Sequence, residues 1–249
     1  TRMAENYWAE SRRPLASLVF IAPLLVVYEV GVRLLGSEAA RNGADVWMRR
    51  VLEWMQFDQY FLLPVLTVCI LLGWHYTTRQ SWRLSGGILW GMAVESLLLA
   101  LVLRLILHVQ AILWGALARP AGPDAAQPAL TLDLSGTAGR LIGFLGAGVY
   151  EELLFRLILL SLAVWLFQRL GLRGGRGVPV AAVATSLAFA TAHYVGPHGE
   201  AVAWLHLAFW FGFFFRFLAG LFFSALFLYR GFGIAAGCHA GYDILVGVF

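Results

Sequence analysis

The chain has 249 residues, of which 60% are hydrophobic and only 13% are charged, with a formal net charge of +4. A soluble domain carries roughly 25% charged residues, so this shortage indicates that lipid is the solvent for much of the chain. The small positive excess is spread over the connections between apolar segments, which argues against nucleic acid as a partner.

Seven apolar segments are long enough to cross a bilayer, since a helical crossing needs about 20 mostly apolar residues. They cover residues 15–35, 59–76, 85–114, 138–169, 178–195, 203–229 and 233–249. Backbone polar groups in lipid must be satisfied within each segment, and these segments are too long for barrel strands. We therefore predict an all-α, polytopic transmembrane bundle of seven spans, with eight as the alternative if residues 201–229 divide into two short spans.

Arginine is distributed unevenly over the predicted connections. With the N-terminus inside, the inner connections contain Arg12, Arg13, Arg79, Arg83, Arg169, Arg173, Arg176 and Arg230. The outer connections contain Arg41, Arg49, Arg50, Arg119 and Arg140, together with Glu38, Asp45, Asp124 and Asp133. Basic residues favour the cytoplasmic side, so we predict an N-terminus inside. Compact connections without an internal targeting motif favour a bacterial cytoplasmic membrane.

Isolated polar residues in the apolar segments have structural explanations. Ionisable groups in spans pair with neighbours or extend to the interface, as we expect for Glu29, Arg33, Arg104 and Arg216. Glu95 is expected to make a further polar contact within the bundle. Histidines without a partner at ligand spacing are expected to be structural: His75, His108, His198 and His206. Cys69 and Cys238 lie in apolar stretches and predict no disulfide.

The fourth apolar segment contains two adjacent carboxylates, Glu151 and Glu152, followed by Arg156. Ionisable residues at membrane depth are functional hypotheses by default. On a helix, Glu152 and Arg156 lie four residues apart on one face and can pair. Glu151 points about 100° away and is free to face a cavity. The spacing predicts a structural pair beside a reactive acid, which would act as a general base.

Two later segments each present a pair of functional groups at helical spacing. Phe189 and His193 close the fifth segment, and His239 and Asp243 open the last one. A single histidine on an apolar helix is more often a core residue than a catalyst. Three such helices change that judgement, because a bundle can gather Glu151, His193, His239 and Asp243 around one wet pocket.

The three patterns together resemble a known family. Glu-Glu-x-x-x-Arg, Phe-x-x-x-His and His-x-x-x-Asn/Asp, in this order over residues 151–243, are similar to the CPBP (CAAX protease and bacteriocin-processing, or Abi) family. Its best-known branch is the type II CAAX prenyl endopeptidase. The similarity covers residues 138–249, which we expect to form the catalytic helical core. Residues 1–137 match only as leading transmembrane helices of the same integrated membrane domain.

The resemblance implies hydrolysis without a covalent intermediate. Glu151 and His193 would activate a water that attacks the scissile carbonyl, and His239 and Asp243 would stabilise the oxyanion or position the substrate. Three further residues would have supporting roles: Glu152, Arg156 and Phe189.

Asp243 departs from the family pattern, in which many members have Asn. An ionised carboxylate cannot donate a hydrogen bond to an oxyanion. Asp243 is therefore protonated, orients His239, or helps to hold a metal, and we favour the second of these. The sequence lacks His-Glu-x-x-His and a cysteine ligand set, so we predict no metal or other cofactor. The alternative is zinc held by side chains from the set His193, His239, Asp243 and Glu151.

These observations predict an intramembrane endopeptidase. The resemblance implies a protein substrate in the bilayer that is membrane-anchored, prenylated or marked by a sorting signal. The alternative is a non-catalytic membrane scaffold or immunity protein, although the intact Glu151, His193 and His239 argue against lost activity. A proton-coupled transporter would use buried carboxylates as a relay, but it predicts an inverted repeat that the sequence lacks.

Overall fold

The structure, a computed structural model, describes residues 2–36, 41–117, 134–172, 175–196 and 199–248. Six residues named above lie outside these ranges: Glu38, Arg119, Asp124, Asp133, Arg173 and His198. All regular secondary structure in the described ranges is helical, as the sequence predicts.

The described residues form nine helices. The first five are α1 (Arg2–Ser11), α2 (Pro14–Leu35), α3 (Gly43–Trp54), α4 (Leu62–Thr77) and α5 (Gly86–Leu117). Helix α6 runs through Leu134–Gly146, the π-helical segments Ala147–Glu151 and Leu153–Leu160, and a final α segment, Ser161–Arg169. The last three are α7 (Gly177–Ala192), α8 (Leu207–Arg230) and α9 (Phe232–Gly247). Helices α2 and α4 to α9 match the seven apolar segments in order.

Three of these helices are long and apolar enough to cross a membrane: α2, Gly86–Ala116 of α5, and α8. Helices α4 and α7 are shorter apolar helices. Because α8 runs without interruption from Leu207 to Arg230, the alternative of two short spans in residues 201–229 is wrong. The chain is a helical membrane protein with several apolar helices.

Two helices were not predicted from the sequence, α1 and α3, because neither is an apolar run. Helix α3 lies between the first two predicted spans and follows a strong start signal. The Asn42 side chain caps it by accepting a hydrogen bond from the Ala44 amide at 2.9 Å, and asparagine is among the preferred N-cap residues. Helix α3 packs against the π-helical turn that ends at Glu151.

Small residues bring α6 close to its neighbours. A Cβ on Gly148 would lie 2.6 Å from the Ala240 Cβ and 2.7 Å from the Ala236 carbonyl oxygen on α9. A Cβ on Gly146 would lie 2.1 Å from the Tyr28 ring on α2. Small residues allow close backbone approach where helices pack in lipid. The glycines of α6 therefore bring α2 and α9 against the turn that carries the two glutamates.

The two π-helical segments flank Glu152. Such wide turns occur frequently at functional sites, because they alter the direction of the side chains around them. The prediction of a regular α-helix is therefore wrong in detail between residues 147 and 160, although Glu152 and Arg156 still form an ion pair.

Most intramembrane charges have partners, as expected. The pairs are Glu29 with Arg49, Glu95 with Arg230, Arg216 with Glu200, and Arg104 with the Leu245 carbonyl oxygen. The Arg33 guanidinium lies 5.4 Å from the centre of the Tyr60 ring. His75 is buried with its ring edge against Trp82, and both cysteines are free.

Candidate active site

Glu152 is at the centre of a buried charged cluster. Its Oε1 accepts a hydrogen bond from the Arg156 guanidinium at 2.9 Å and lies 2.7 Å from Nδ1 of His239. Arg156 also donates to the Gly220 carbonyl oxygen at 3.3 Å, and its guanidinium lies 4.3 Å from the centre of the Phe189 ring. Glu152 is completely buried and Arg156 is 1% exposed. The predicted pair therefore forms, with His239 as a third member that the helical spacing could not reveal.

His239 is held by its ring faces as well as by Glu152. The imidazole stacks on Phe223 at 4.4 Å between ring centres, and the Phe189 ring approaches it at 6.0 Å. Its Nε2 lies 3.8 Å from Oε2 of Glu151 and 3.6 Å from Oδ2 of Asp243. Both ring nitrogens therefore face carboxylate oxygens. The hydrogen bond that fixes the ring is made by Glu152, whereas Asp243 is beyond hydrogen-bond distance.

Glu151 has different surroundings from Glu152. Its Oε1 accepts a hydrogen bond at 2.7 Å from the Asn42 side-chain amide. Its Oε2 is buried and has no hydrogen-bond partner among the described residues. Glu151 also lines a cavity of about 180 Å³, as do Phe155, Ala192 and His193. The sequence-based expectation that Glu151 faces a cavity agrees with this position.

His193 is the residue that follows the end of α7, and it lines the same cavity. Its Nδ1 lies 2.9 Å from the Phe189 carbonyl oxygen, which can only accept a hydrogen bond. Nδ1 therefore carries the hydrogen in the neutral ring, and Nε2 is left as the acceptor. The remaining walls come from α3 and from the segment after α7: Gly43, Ala44, Val46, Trp47, Val195, Gly199 and Glu200.

The four predicted site residues do not share one pocket wall. Glu151 and His193 line the cavity, whereas His239 and Asp243 are not among its lining residues. Phe189, one helical turn before His193, is the residue of α7 that contacts His239. Glu151 connects the two groups, because it lines the cavity with His193 while its Oε2 lies 3.8 Å from Nε2 of His239.

Sequence reasoning missed Asn42 and Phe223. Asn42 carries a readable signal as an N-cap residue, but its contact with Glu151 spans 109 positions. Phe223 is one of many phenylalanines in α8, and nothing in a single sequence distinguishes the one that stacks on His239.

The side-chain positions bear on the metal alternative. Among the residues that the structure describes, no group of three His, Cys, Asp or Glu side chains could hold a metal ion. His239 Nδ1 is already engaged by Glu152, and His193 Nδ1 by a backbone carbonyl.

The comparisons with known proteins agree with the motifs. The family model described as type II CAAX prenyl endopeptidase Rce1-like matches residues 133–245. No curated protein and no solved structure matches the chain. The matched range includes Glu151, His193, His239 and Asp243. Proteases of this family generally work without a metal. Residues 133–245 therefore form an Rce1-like type II CAAX prenyl endopeptidase domain, and that family consists of glutamate-dependent intramembrane proteases.

Proposed function

We propose that the protein is a metal-independent intramembrane endopeptidase in which Glu151 and His193 activate water against a peptide bond of a membrane-anchored substrate. One observation carries this proposal: Glu151 and His193 line the same cavity, while Glu152 is occupied by Arg156 and His239. Two adjacent glutamates thus have separate tasks.

Water activation uses one acceptor atom each from Glu151 and His193. Oε2 of Glu151 takes one proton from water, and Nε2 of His193 accepts a hydrogen bond from the remaining O–H and so orients the oxygen. The resulting hydroxide adds to the scissile carbonyl carbon and forms a tetrahedral oxyanion. When the C–N bond breaks, the proton on Glu151 passes to the leaving amine, which regenerates the carboxylate without a covalent enzyme intermediate.

Charge stabilisation of the oxyanion is assigned to His239. Its two nitrogens face carboxylate oxygens of Glu151, Glu152 and Asp243, so the ring carries hydrogens on both nitrogens and a positive charge. A preorganised positive group in a site that excludes water stabilises developing negative charge strongly. The Asp243 carboxylate contributes by stabilising the positive charge of the His239 ring. Phe189 and Phe223 contribute by holding that ring in place.

The substrate is a membrane-anchored protein that bears a lipid, such as a prenyl group, or a sorting signal. We propose that α2 and α4 to α9 cross the bilayer seven times, with the N-terminus inside a bacterial cytoplasmic membrane. In this arrangement residues 1–137 are leading helices and residues 138–249 form the catalytic core of one domain. The cavity then lies at the outer end of the bundle, beside α3.

The test is cleavage by purified protein of a panel containing prenylated C-terminal peptides and membrane-anchored peptides with sorting signals, read by mass spectrometry. We expect the wild type to cut one class, Glu151→Gln to cut none, and a chelator to leave cleavage unchanged. Glu151→Gln preserves shape and the contact with Asn42, so a folded, inactive variant isolates the base. Equal cleavage by both proteins would overturn the mechanism. No cleavage by folded wild type would favour the scaffold function.

A further inference from the structure

Asn42 contacts Glu151 from outside the family-matched range. It precedes α3, in the part of the chain that resembles the family only as leading helices. Its Nδ2 lies 2.7 Å from Oε1 of Glu151. None of the three sequence motifs includes it.

The orientation of the Asn42 amide is fixed by its second contact. Oδ1 accepts the hydrogen bond from the Ala44 backbone amide at 2.9 Å. Nδ2 must therefore be the group that points to Glu151, and an ionised carboxylate only accepts hydrogen bonds. The backbone amide of Asn42 also donates to the Tyr28 hydroxyl at 3.2 Å, and that hydroxyl donates to the buried Asp45 at 2.7 Å.

We propose that Asn42 is a positioning residue for Glu151: its amide holds Oε1 and leaves Oε2 as the oxygen that takes the proton from water. The proposal rests on the function proposed above. A hydrogen bond to the charged form of a carboxylate favours that form, so Asn42 also keeps Glu151 ionised for its task as a base. Helix α3, whose residues Ala44 and Trp47 line the cavity, delivers this amide.

The substitution Asn42→Asp distinguishes the role of the side-chain amide from the role of the side chain as a helix cap. Aspartate caps a helix as well as asparagine does, but it replaces the donor by a second carboxylate beside Glu151. Asn42→Ser also keeps the cap and lacks the amide, without added charge. A residue that only caps α3 would tolerate both changes, whereas a positioning residue tolerates neither.

We expect Asn42→Asp to lower kcat by about tenfold to a hundredfold with little change in KM. A loss of this size corresponds to the free energy of one hydrogen bond to a charged group. Loss of the donor and gain of a like charge both favour protonated Glu151. The acidic limb of the pH–rate profile therefore moves to higher pH. Asn42→Ser should lower kcat less and move the limb less.

A double variant tests the contact without relying on activity. When Asn42→Asp is combined with Glu151→Gln, the amide introduced at position 151 can donate to the carboxylate introduced at position 42. The polarity of the same hydrogen bond is thereby reversed. We expect Asn42→Asp alone to lower the melting temperature and the double variant to restore it, while cleavage remains absent.

Two outcomes would contradict the proposal in distinguishable ways. If Asn42→Asp keeps the wild-type kcat and pH profile while Glu151→Gln is inactive, the proposed protease mechanism stands and the positioning role is wrong. If Glu151→Gln is as active as the wild type, the proposed mechanism itself fails, and the positioning role falls with it.

Discussion

Glu151 and Glu152 are neighbours in sequence, yet their carboxylates have different hydrogen-bond partners. Glu152 has a guanidinium and an imidazole on one oxygen, both buried. Glu151 has a neutral amide on one oxygen and no hydrogen bond on the other within the described residues. The difference supports the proposal that Glu152 contributes to stability and Glu151 to catalysis, and substitutions can separate these two roles.

We expect Glu152→Gln to lower the free energy of unfolding by about 3 kcal/mol or more, the cost of breaking a buried ion pair. The reason is that Arg156, 1% exposed, keeps its charge without a carboxylate. The measurement is thermal unfolding in detergent, with Glu151→Gln as the matched control, since the latter retains its contact with Asn42. An unfolding temperature that falls more for Glu151→Gln than for Glu152→Gln would contradict this assignment.

The role of Asp243 can be tested by replacing it with asparagine, the alternative residue in the third motif. We expect Asp243→Asn to retain kcat within about tenfold of the wild type, because no hydrogen bond to His239 is lost. The distance from Oδ2 to Nε2 is 3.6 Å, and the Glu152 contact that fixes the ring remains. Steady-state cleavage measures kcat, and the comparison with and without chelator tests the metal alternative. Complete loss of activity would show that the charge of Asp243 is required.

Helix α3 is attached to the bundle by polar groups at its first turn. Asp45 is fully buried and accepts hydrogen bonds from Tyr28, Arg41 and Arg49. Arg49 extends the network to Glu29, which also accepts from the Tyr150 hydroxyl. Because Tyr150 precedes Glu151, this network fixes α3 against the turn that carries Glu151.

Removing the Asp45 carboxylate should release α3 from the bundle. We expect Asp45→Ala to lower kcat at least about tenfold and to increase proteolytic nicking between α2 and α4, because Arg41 and Arg49 lose their buried partner. Limited proteolysis and cleavage assays provide the two measurements. Glu53→Ala is the control, since Glu53 is an exposed acid on the same helix. Unchanged nicking in Asp45→Ala would exclude an anchoring role for this carboxylate.

The close contact between α6 and α9 requires glycine at position 148. A methyl group at position 148 would meet the Ala236 carbonyl oxygen and the Ala240 backbone, at 2.7 and 2.8 Å, and backbone cannot move as a side-chain tip does. Gly148→Ala should therefore displace α9, reduce kcat by about tenfold or more, and lower the melting temperature. Gly73→Ala, in α4 with no atom near the added carbon, should change neither. If the two variants behave alike, α6 and α9 need not pack this closely.

The sequence predicted the elements better than the contacts between them. Apolar length located α2 and α4 to α9, and spacing of four located the Glu152–Arg156 pair, because both depend on local geometry. The π-helical turns, the stacking of Phe223 on His239 and the Asn42 contact depend on packing between distant segments. Helix α3 was missed because bilayer-length apolar runs were the signal, whereas α3 is short and polar on one side.

At the scale of the whole molecule, the two ends of the bundle differ in their charges. At one end Arg230 contacts Ser11 and Glu95, and Arg13 donates to the Arg83 carbonyl oxygen. At the other end Asp45 and Glu29 offset the arginines of α3. The first end thus has the greater excess of positive charge, which favours the cytoplasmic side. The cavity lies towards the other end, with α3.

This orientation predicts on which side the substrate is cut, and cysteine labelling tests it. Asp58 and Gln80 are exposed residues on either side of α4. In a background with Cys69→Ala and Cys238→Ala that still cleaves substrate, we expect Asp58→Cys to react with a membrane-impermeant maleimide on intact cells. Gln80→Cys should react only after permeabilisation. Since α3 and the cavity lie on the Asp58 side, this result would require that the scissile bond approach from outside the cytoplasm. The reverse labelling pattern would place the cavity at the cytoplasmic face and favour substrates that are modified inside the cell.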